Sequence, residues 1–297
     1  MAFEVRKGEG DGVWKGVLPD RWMVGRVPSG GVVTSILLRA TSREVSTLSP
    51  LSASITFLRK TEPSEEYQCR VSVVKKGKRF WVLETKMFQH GKERCRMISM
   101  FGDLGSALRN GPNRLFDAFP PKIKSNFVRL DGGDNSENSV RSRVMIYVDP
   151  KCSETFVNCR KTQSNGEFNE STLLDREART ARHGTTSYEG FMYFKDDVPV
   201  IDACTYPVLL DAALPPVLGK HVAGWVPTLT WSIQFKSVLT NSNRVSFRFR
   251  TTHIAGGYLE EDGELWDMST GKLLAISRQL AMVGVSQRRR SNTTSAL

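Results

Sequence analysis

Two polar residues interrupt segments of the sequence that are otherwise apolar. Asp211 stands between Leu210 and Ala212 in a short predicted helix. Aspartate is a poor interior helix residue, and burial of its carboxyl without partners would cost several kcal/mol. Partial burial would also raise its pKa, which suits a general base that takes a proton from water. The alternative is a structural one, in which Asp211 lies exposed on a helix edge.

The second polar residue is Gln279, in the apolar predicted strand 273–283. An inward amide there needs a hydrogen-bond partner. Thr228 begins another predicted strand, and the two side chains could be partners of Asp211 from strands beneath the helix. By type alone, Thr228 is an ordinary strand residue and would be structural.

Other kinds of active site find no support in the sequence. There is no G-x-S-x-G motif, and Gly8-x-Gly10-x-Gly12 lacks the strand and helix of a dinucleotide-binding fingerprint. The four histidines have no ligand spacing, so we predict no metal. The five cysteines form no C-x-x-C pair, which favours reduced thiols in an intracellular protein.

The chain of 297 residues carries a formal net charge of +11. The basic residues concentrate in the stretch 70–96 and in a tail that contains Arg288, Arg289 and Arg290. A basic surface attracts polyanions, so nucleic acid and a phosphorylated ligand are both candidates, beside a face that is merely solvated. The sequence has no apolar run of about 18 residues, so no membrane span is predicted.

Hydrophobic periodicity predicts two similar halves. In the first, a helix over 32–40 with Ser29 as its N-cap precedes strands at 51–59, 67–73, 80–88 and 95–101. In the second, a strand at 187–194 and a helix at 207–214 precede strands at 228–236, 244–250, 258–267 and 273–283. Between them, 110–185 is predicted to be a linker with one isolated strand, 144–148, and a polar excursion.

A shift of 178 residues aligns the two halves. It places Ser54-Ile55-x-Phe57 on Ser232-Ile233-x-Phe235 and brings the helices approximately into register. We therefore predict an α+β fold of two tandem units, each an antiparallel sheet around a central helix, sharing one continuous sheet. The predicted divisions are 1–110, 111–185 as linker and excursion, 186–285, and a flexible basic tail at 286–297.

Five stretches carry a resemblance to a known family: 27–32, 54–59, 227–235, 256–267 and 277–281. In order and spacing they resemble the acyl-CoA thioesterase II group and its thioesterase-like relatives, which have two hot-dog units in one chain. The resemblance spans about 12–285, apart from the middle excursion. It implies hydrolysis of acyl-CoA to a carboxylic acid and CoA, without metal or organic cofactor.

The resemblance also implies the site residues. In the family an Asp, a Thr and a Gln of the second unit hold and activate a water, and the matching positions are Asp211, Thr228 and Gln279. The residues 178 positions earlier are Val33, Pro50 and Phe101, none of which can activate water. We further expect backbone N–H groups of Gly30 and Gly31 to contact the oxyanion or the substrate.

Three functions remain open at this point. The first is an acyl-CoA thioesterase; the second is a non-catalytic acyl or acyl-CoA binding protein of the same fold; the third, motivated by charge alone, is a nucleic-acid binder. The expected partner is acyl-CoA and not nucleic acid, and a homodimer is a family expectation. The expected compartment is the cytoplasm, with the peroxisome as the alternative because Ser295-Ala296-Leu297 resembles an S-K-L address.

Overall fold

The computed structural model describes residues 3–116, 118–130, 136–154, 156, 185–195, 201–220, 226–238 and 243–283. The predicted tail 286–297 with its terminal tripeptide, and most of the polar excursion, lie outside the described residues. The helices include α1 (Gly30–Glu44), α2 (Leu104–Asn110) and α3 (Tyr206–Ala212), and residues 150–154 are also helical. Short 3-10 turns occupy Val140–Ser142 and Pro216–Gly219.

The strands account for a little under half of the described residues. The first eight are β1 (Arg6–Lys7), β2 (Val13–Val17), β3 (Met23–Val24), β4 (Val27–Pro28), β5 (Ser49–Phe57), β6 (Glu66–Lys76), β7 (Phe80–Gln89) and β8 (Lys92–Gly102). The others are β9 (Val128–Arg129), β10 (Val144–Val148), β11 (Ser187–Phe194), β12 (Thr228–Phe235), β13 (Arg244–Arg250), β14 (Ile254–Ala255), β15 (Tyr258–Asp267) and β16 (Leu273–Met282).

The described strands form one large antiparallel sheet and a small separate pair, β3–β4. The strand order of the large sheet is β1-β2-β6-β7-β8-β5-β12-β16-β15-β13-β11-β10-β9, with β14 beside β15. The two halves of the chain meet at β5 and β12, where Ser54 lies opposite Ser232 and their hydroxyl oxygens are 3.3 Å apart. A large antiparallel sheet with few helices is the α+β class that the sequence predicts.

Two of the four pairs of corresponding strands begin 178 residues apart, and the other two pairs begin within three residues of that spacing. β6 and β13 begin at 66 and 244, and β7 and β15 begin at 80 and 258. The same order of strands leads outward from the centre on each side: β5, β8, β7, β6 and β12, β16, β15, β13. The alternation of apolar and polar residues fixes these strands, because each has one face against the core.

The core lies between the sheet and the helices. Ten of the fifteen residues of α1 are buried, among them Val32, Ile36, Leu37 and Leu38 at 1% exposure or less. Ser29 caps α1 as predicted, accepting a hydrogen bond from the N–H of Gly31. The short α3 is also apolar and packs against α1, so the two helices share one buried layer.

Two features differ from the sequence predictions. The strand at 144–148 exists, but it is not isolated, because it pairs with β11 on one side and β9 on the other. Its alternate residues Val144, Ile146 and Val148 are buried in the core, which explains the pairing. Helix α2 was not predicted, and only one of its residues, Leu104, is buried.

The remaining sequence observations bear on thiols and membranes. All four described cysteines are free and buried, in keeping with the predicted reduced thiols. Within the described ranges, no helix has both the length and the hydropathy that crossing a bilayer requires.

Candidate active site

Asp211 occupies the last turn of α3 and faces the beginning of α1. A carboxylate at a helix C-terminus is unfavourable by itself, whereas the N–H groups at a helix N-terminus favour an anion. The Ser29 hydroxyl donates to Asp211 Oδ2 at 2.6 Å, and the Gly31 N–H donates to the same oxygen at 2.8 Å. The start of α1 therefore holds the carboxylate that the end of α3 presents.

Close approach of the two helices depends on Gly31. A Cβ at this position would lie 2.8 Å from Cβ of Asp211 and in collision with the carbonyl oxygen of Pro207. A side chain there would push α3 away from α1. At Gly30 the nearest neighbours of a Cβ would be Phe57, at 3.3 Å, and Asp211 Oδ2, at 3.6 Å, which are far looser contacts.

The protonation of Asp211 reflects opposing effects. Burial raises the pKa of its carboxyl, and the hydrogen bonds from Ser29, Gly31 and Gly30 lower it, with a net upward shift. The three donors therefore stabilise the anion and oppose the burial, which favours the neutral form.

Thr228 and Gln279 contact each other directly. The Thr228 hydroxyl donates to Gln279 Oε1 at 2.5 Å, across the β12–β16 pair. A bulge between Thr228 and Thr230 turns the start of β12 so that the Thr228 hydroxyl reaches inward. Gln279 is only 5% exposed, so its amide belongs to the interior of the sheet.

A pocket of about 250 Å³ opens beside these residues. Its walls are largely apolar, its polar lining includes Asp211 and Thr228, and Arg59 and Lys60 stand on its edge. The other lining residues are Val24, Val27, Pro28, Ser29, Gly30, Val33, Phe57, Leu58, Thr61, Val226, Pro227 and Leu229. An apolar cavity with a few polar groups is the usual form of a small-molecule site.

The structure brings most of the predicted residues together, with one difference. Asp211, Gly30 and Thr228 line one pocket. Gln279 is hydrogen-bonded to Thr228, and the Gly31 N–H is hydrogen-bonded to Asp211. Among the described residues, Asp211 is bonded to the start of α1 and not to Thr228 or Gln279. The Gly31 N–H points at Asp211, a contact that favours an anchoring role; the oxyanion role stays a prediction.

Sequence reasoning missed two residues of the site. Ser29 was identified as a helix cap, but its hydroxyl also bonds Asp211 from 182 positions away. Glu261 lies on β15 directly opposite Gln279 and was not singled out. The available signal was strand alternation, since Leu259, Gly263 and Leu265 on the same face are buried.

Glu261 is a carboxyl in unusual surroundings. Burial, then the charges of Asp211 and Asp262, raise its pKa to about 8. The Asp211 carboxylate is therefore close enough to influence it, and the two acids belong to one electrostatic unit.

Comparison with known proteins defines the class of protein first. Over 96% of both chains the fold matches a putative thioesterase II from Thermobifida fusca YX, with a TM-score of 0.77 and 22% identity. It also matches a hot-dog protein of unknown function from Alicyclobacillus acidocaldarius (TM-score 0.73, 16% identity), over 96% of this chain and 97% of that one. The chain thus has a hot-dog fold.

The family follows from the sequence models. The model of the acyl-CoA thioesterase N-terminal domain matches residues 18–102, and that of the C-terminal domain matches 159–283. The chain belongs to the acyl-CoA thioesterase family, and the enzyme class is that of thioester hydrolases. A further match in fold is the acyl-CoA thioesterase II TesB2 from Mycobacterium marinum, at 14% identity over 97% of each chain and a TM-score of 0.66. No curated protein gives a significant match.

Proposed function

We propose that the protein hydrolyses acyl-CoA with a water activated by Asp211 and positioned by Thr228 and Gln279. The observation that carries the proposal is the pocket in which Asp211 and Thr228 face the same apolar space, with Gln279 bound to Thr228. Membership of the acyl-CoA thioesterase family supplies the substrate class. The pocket would take the acyl end of the substrate next to Asp211.

The proposed reaction needs one base and no cofactor. The Asp211 carboxylate takes a proton from water while the water oxygen attacks the thioester carbonyl carbon. The Thr228 hydroxyl oxygen, whose own proton goes to Gln279 Oε1, accepts a hydrogen bond from that water, and the Gln279 amide N–H donates one to it. Collapse of the tetrahedral intermediate breaks the C–S bond, and the CoA sulfur takes up the proton. The products are a carboxylic acid and free CoA.

The anchor of Asp211 supports this role. Ser29 and Gly31 both bond Oδ2, so they fix the carboxyl through that oxygen. A base held by one oxygen can present the other to a water.

Removal of the Thr228 hydroxyl should test the water-positioning step. Thr228→Val keeps the shape of the side chain but removes the donor to Gln279. We expect kcat to fall about 10- to 100-fold, since a misplaced water loses its alignment for attack. Thr228→Ser should retain most activity, and Thr230→Val, on the exposed face two residues away, is the matched control. Equal kcat in Thr228→Val and Thr230→Val would contradict the assignment.

The edge of the pocket offers cations for the phosphates of CoA. Arg94 is 7% exposed, donates to the Lys60 carbonyl at 2.7 Å and forms an ion pair with Glu62. It thereby shapes the loop that presents Arg59 and Lys60. Within the described residues, Lys60 makes no ion pair, so its ammonium is available to an anion.

One end of the basic stretch 70–96, the β6–β7 hairpin, lies far from the pocket. Phe80, at the β6–β7 hairpin, pairs with Gly102, which lies beside the start of β5 at Ser49. The pocket lies at the other end of β5, at Phe57. At 3.4 Å per residue, Phe57 is about 27 Å from Ser49 along the strand. The hairpin cations around Lys78 are therefore distant from the pocket. We propose that CoA docks at the 59–60 edge and not on this hairpin.

This placement predicts a selective effect on substrate binding. Lys60→Ala should raise KM for acyl-CoA about three- to tenfold with little change in kcat, because it removes one phosphate contact and no reacting group. The effect should shrink at 0.5 M salt, where the Debye length is about 4 Å. Lys78→Ala, of the same charge change, is the control and should leave KM unchanged. A larger KM effect for Lys78→Ala would place the docking surface on the hairpin.

We infer that the fold arose from two tandem hot-dog units, with the divisions at 1–110, 111–185 and 186–285 as predicted. A two-fold axis between equivalent units would bring equivalent residues together where it crosses the sheet. Ser54 and Ser232 are equivalent at a spacing of 178 and are direct partners. The equivalent of Asp211 in the first unit is Val33, which lines the same pocket. One unit would then supply the chemistry and the other an apolar wall.

The second candidate is a non-catalytic acyl-CoA binding protein. The bonds from Ser29 and Gly31 favour it, because they give Asp211 a structural task at the contact of α1 and α3. Release of free thiol from a panel of acyl-CoAs distinguishes the two. Hydrolysis by wild type supports the enzyme, whereas saturable acyl-CoA binding with no thiol release at any chain length supports the binding protein.

A further inference from the structure

Glu261 is a second carboxyl group of the candidate site. It lies on β15 directly opposite Gln279, and side chains so placed on adjacent strands have Cβ atoms about 5 Å apart. The strand packs under α3 through Gly263, whose missing side chain leaves room for Leu210. Leu210 immediately precedes Asp211. Glu261 thus lies beside Gln279 on the strand that packs under the helix carrying Asp211.

The two carboxyl groups have different hydrogen-bond environments. Asp211 accepts from Ser29 and Gly31, and these bonds stabilise its charged form. Glu261 accepts no hydrogen bond from any of the described residues, so nothing comparable stabilises its anion. Since two carboxylates in one partly buried site cannot both remain ionised cheaply, the proton is expected on the one without donors.

The charged groups around Glu261 support this division. Asp211 acts on it from α3 and Asp262 from the next position of β15. Asp262 is itself paired with Arg278 and Arg250 on the outer face of the sheet. β16 contributes only the uncharged Gln279 opposite it. No cation among the described residues compensates a second negative charge on the inner face.

We propose that Glu261 is a positioning residue that stays protonated beside Asp211 and Gln279 and keeps Asp211 the only anion of the site. The inference rests on the proposed function for its kinetic consequence. Negative charge grows on the substrate carbonyl oxygen as water attacks, and a second anion nearby would oppose it. Ionisation of Glu261 then sets the alkaline limit of hydrolysis.

The test measures kcat between pH 5.5 and 9.5 for wild type, Glu261→Gln, Glu261→Ala and Glu264→Gln. Wild-type kcat should fall as the pH passes about 8, where the raised pKa of Glu261 lies. Glu261→Gln cannot ionise and should keep kcat at pH 7 within about threefold while losing the alkaline fall. Glu261→Ala should lower kcat about tenfold with KM little changed. Glu264→Gln, on the same strand but bonded to Arg248, should retain the wild-type profile.

A melting series gives a readout that does not need turnover. The folded state holds the proton on Glu261 up to about pH 8, whereas the ordinary pKa is 4.5. The stabilisation from the protonated form is complete below pH 4.5 and is lost as the pH rises through about 8. The melting temperature of wild type should therefore fall relative to Glu261→Gln between these values.

The outcomes separate the two proposals. Absence of thioester hydrolysis by wild type overturns the proposed function, and the melting series then decides whether Glu261 holds the proton. If the melting temperatures of wild type and Glu261→Gln change with pH in the same way, the inference is overturned. So would an alkaline fall in kcat that Glu261→Gln retains, or a folded Glu261→Ala with wild-type kcat.

Discussion

Replacement of Asp211 by asparagine is expected to reduce kcat for acyl-CoA hydrolysis by at least about a hundredfold. Asparagine has the same shape, and its oxygen can still accept from Ser29 and Gly31, so the contact between α1 and α3 should persist. What it cannot do is take a proton from water. KM should stay within about threefold of wild type, because the change removes an interaction of the transition state.

The controls for this variant concern folding and charge. Asp103→Asn makes the same chemical change at the exposed N-cap of α2, where asparagine caps equally well, and should leave kcat unchanged. Wild-type turnover by Asp211→Asn would exclude Asp211 as the base while leaving the thioesterase activity standing. In the wild type, kcat should fall toward acidic pH, because protonation of Asp211 removes the base, and its raised pKa moves this loss upward in pH.

The second large effect is expected at Gly31. Its Cβ-free position lets α1 approach the Pro207 carbonyl and Asp211 more closely than any side chain permits. Gly31→Ala should therefore force the helices apart and destabilise the protein by about 1–3 kcal/mol. The backbone N–H of residue 31, which anchors Asp211, would move away from the carboxylate. We expect kcat to fall at least about tenfold in the fraction that remains folded.

Gly30→Ala provides a matched comparison for Gly31→Ala. The new methyl would be 3.3 Å from Phe57, in a pocket with room to adjust. Thermal unfolding should show little change for Gly30→Ala and a clear loss for Gly31→Ala, and thiol release should follow the same order. Equal melting temperatures for the two variants would show that the close helix contact does not depend on Gly31.

The strands were predictable because their residues alternate. In β13 the apolar Val245, Phe247 and Phe249 are buried at 1% exposure or less. The predicted bounds of β11, β13 and β15 coincide with the observed ones. Alternation is local, so one sequence is sufficient to find it. By contrast, α2 has a single buried residue and presents no apolar stripe.

The partners of Asp211 were not predictable in the same way. A carboxyl in an apolar helix indicates that partners exist, but not which ones. The observed partners, Ser29 and Gly31, lie about 180 positions earlier and meet Asp211 only because α1 packs on α3. Their identity depends on long-range packing. Glu261 was overlooked for a related reason, since its importance comes from facing Gln279 and Asp211 and not from its immediate neighbours in sequence.

The central claim is that Asp211 makes water the attacking group. Its most direct test is a single turnover in ¹⁸O-water, with enzyme in excess over acyl-CoA, followed by mass spectrometry of the acid and of the peptide that contains Asp211. The account predicts one ¹⁸O atom in the released acid and none in Asp211. Transfer of ¹⁸O into the Asp211 carboxyl, with ¹⁶O in the acid, would show that Asp211 attacks the thioester itself and would contradict the account.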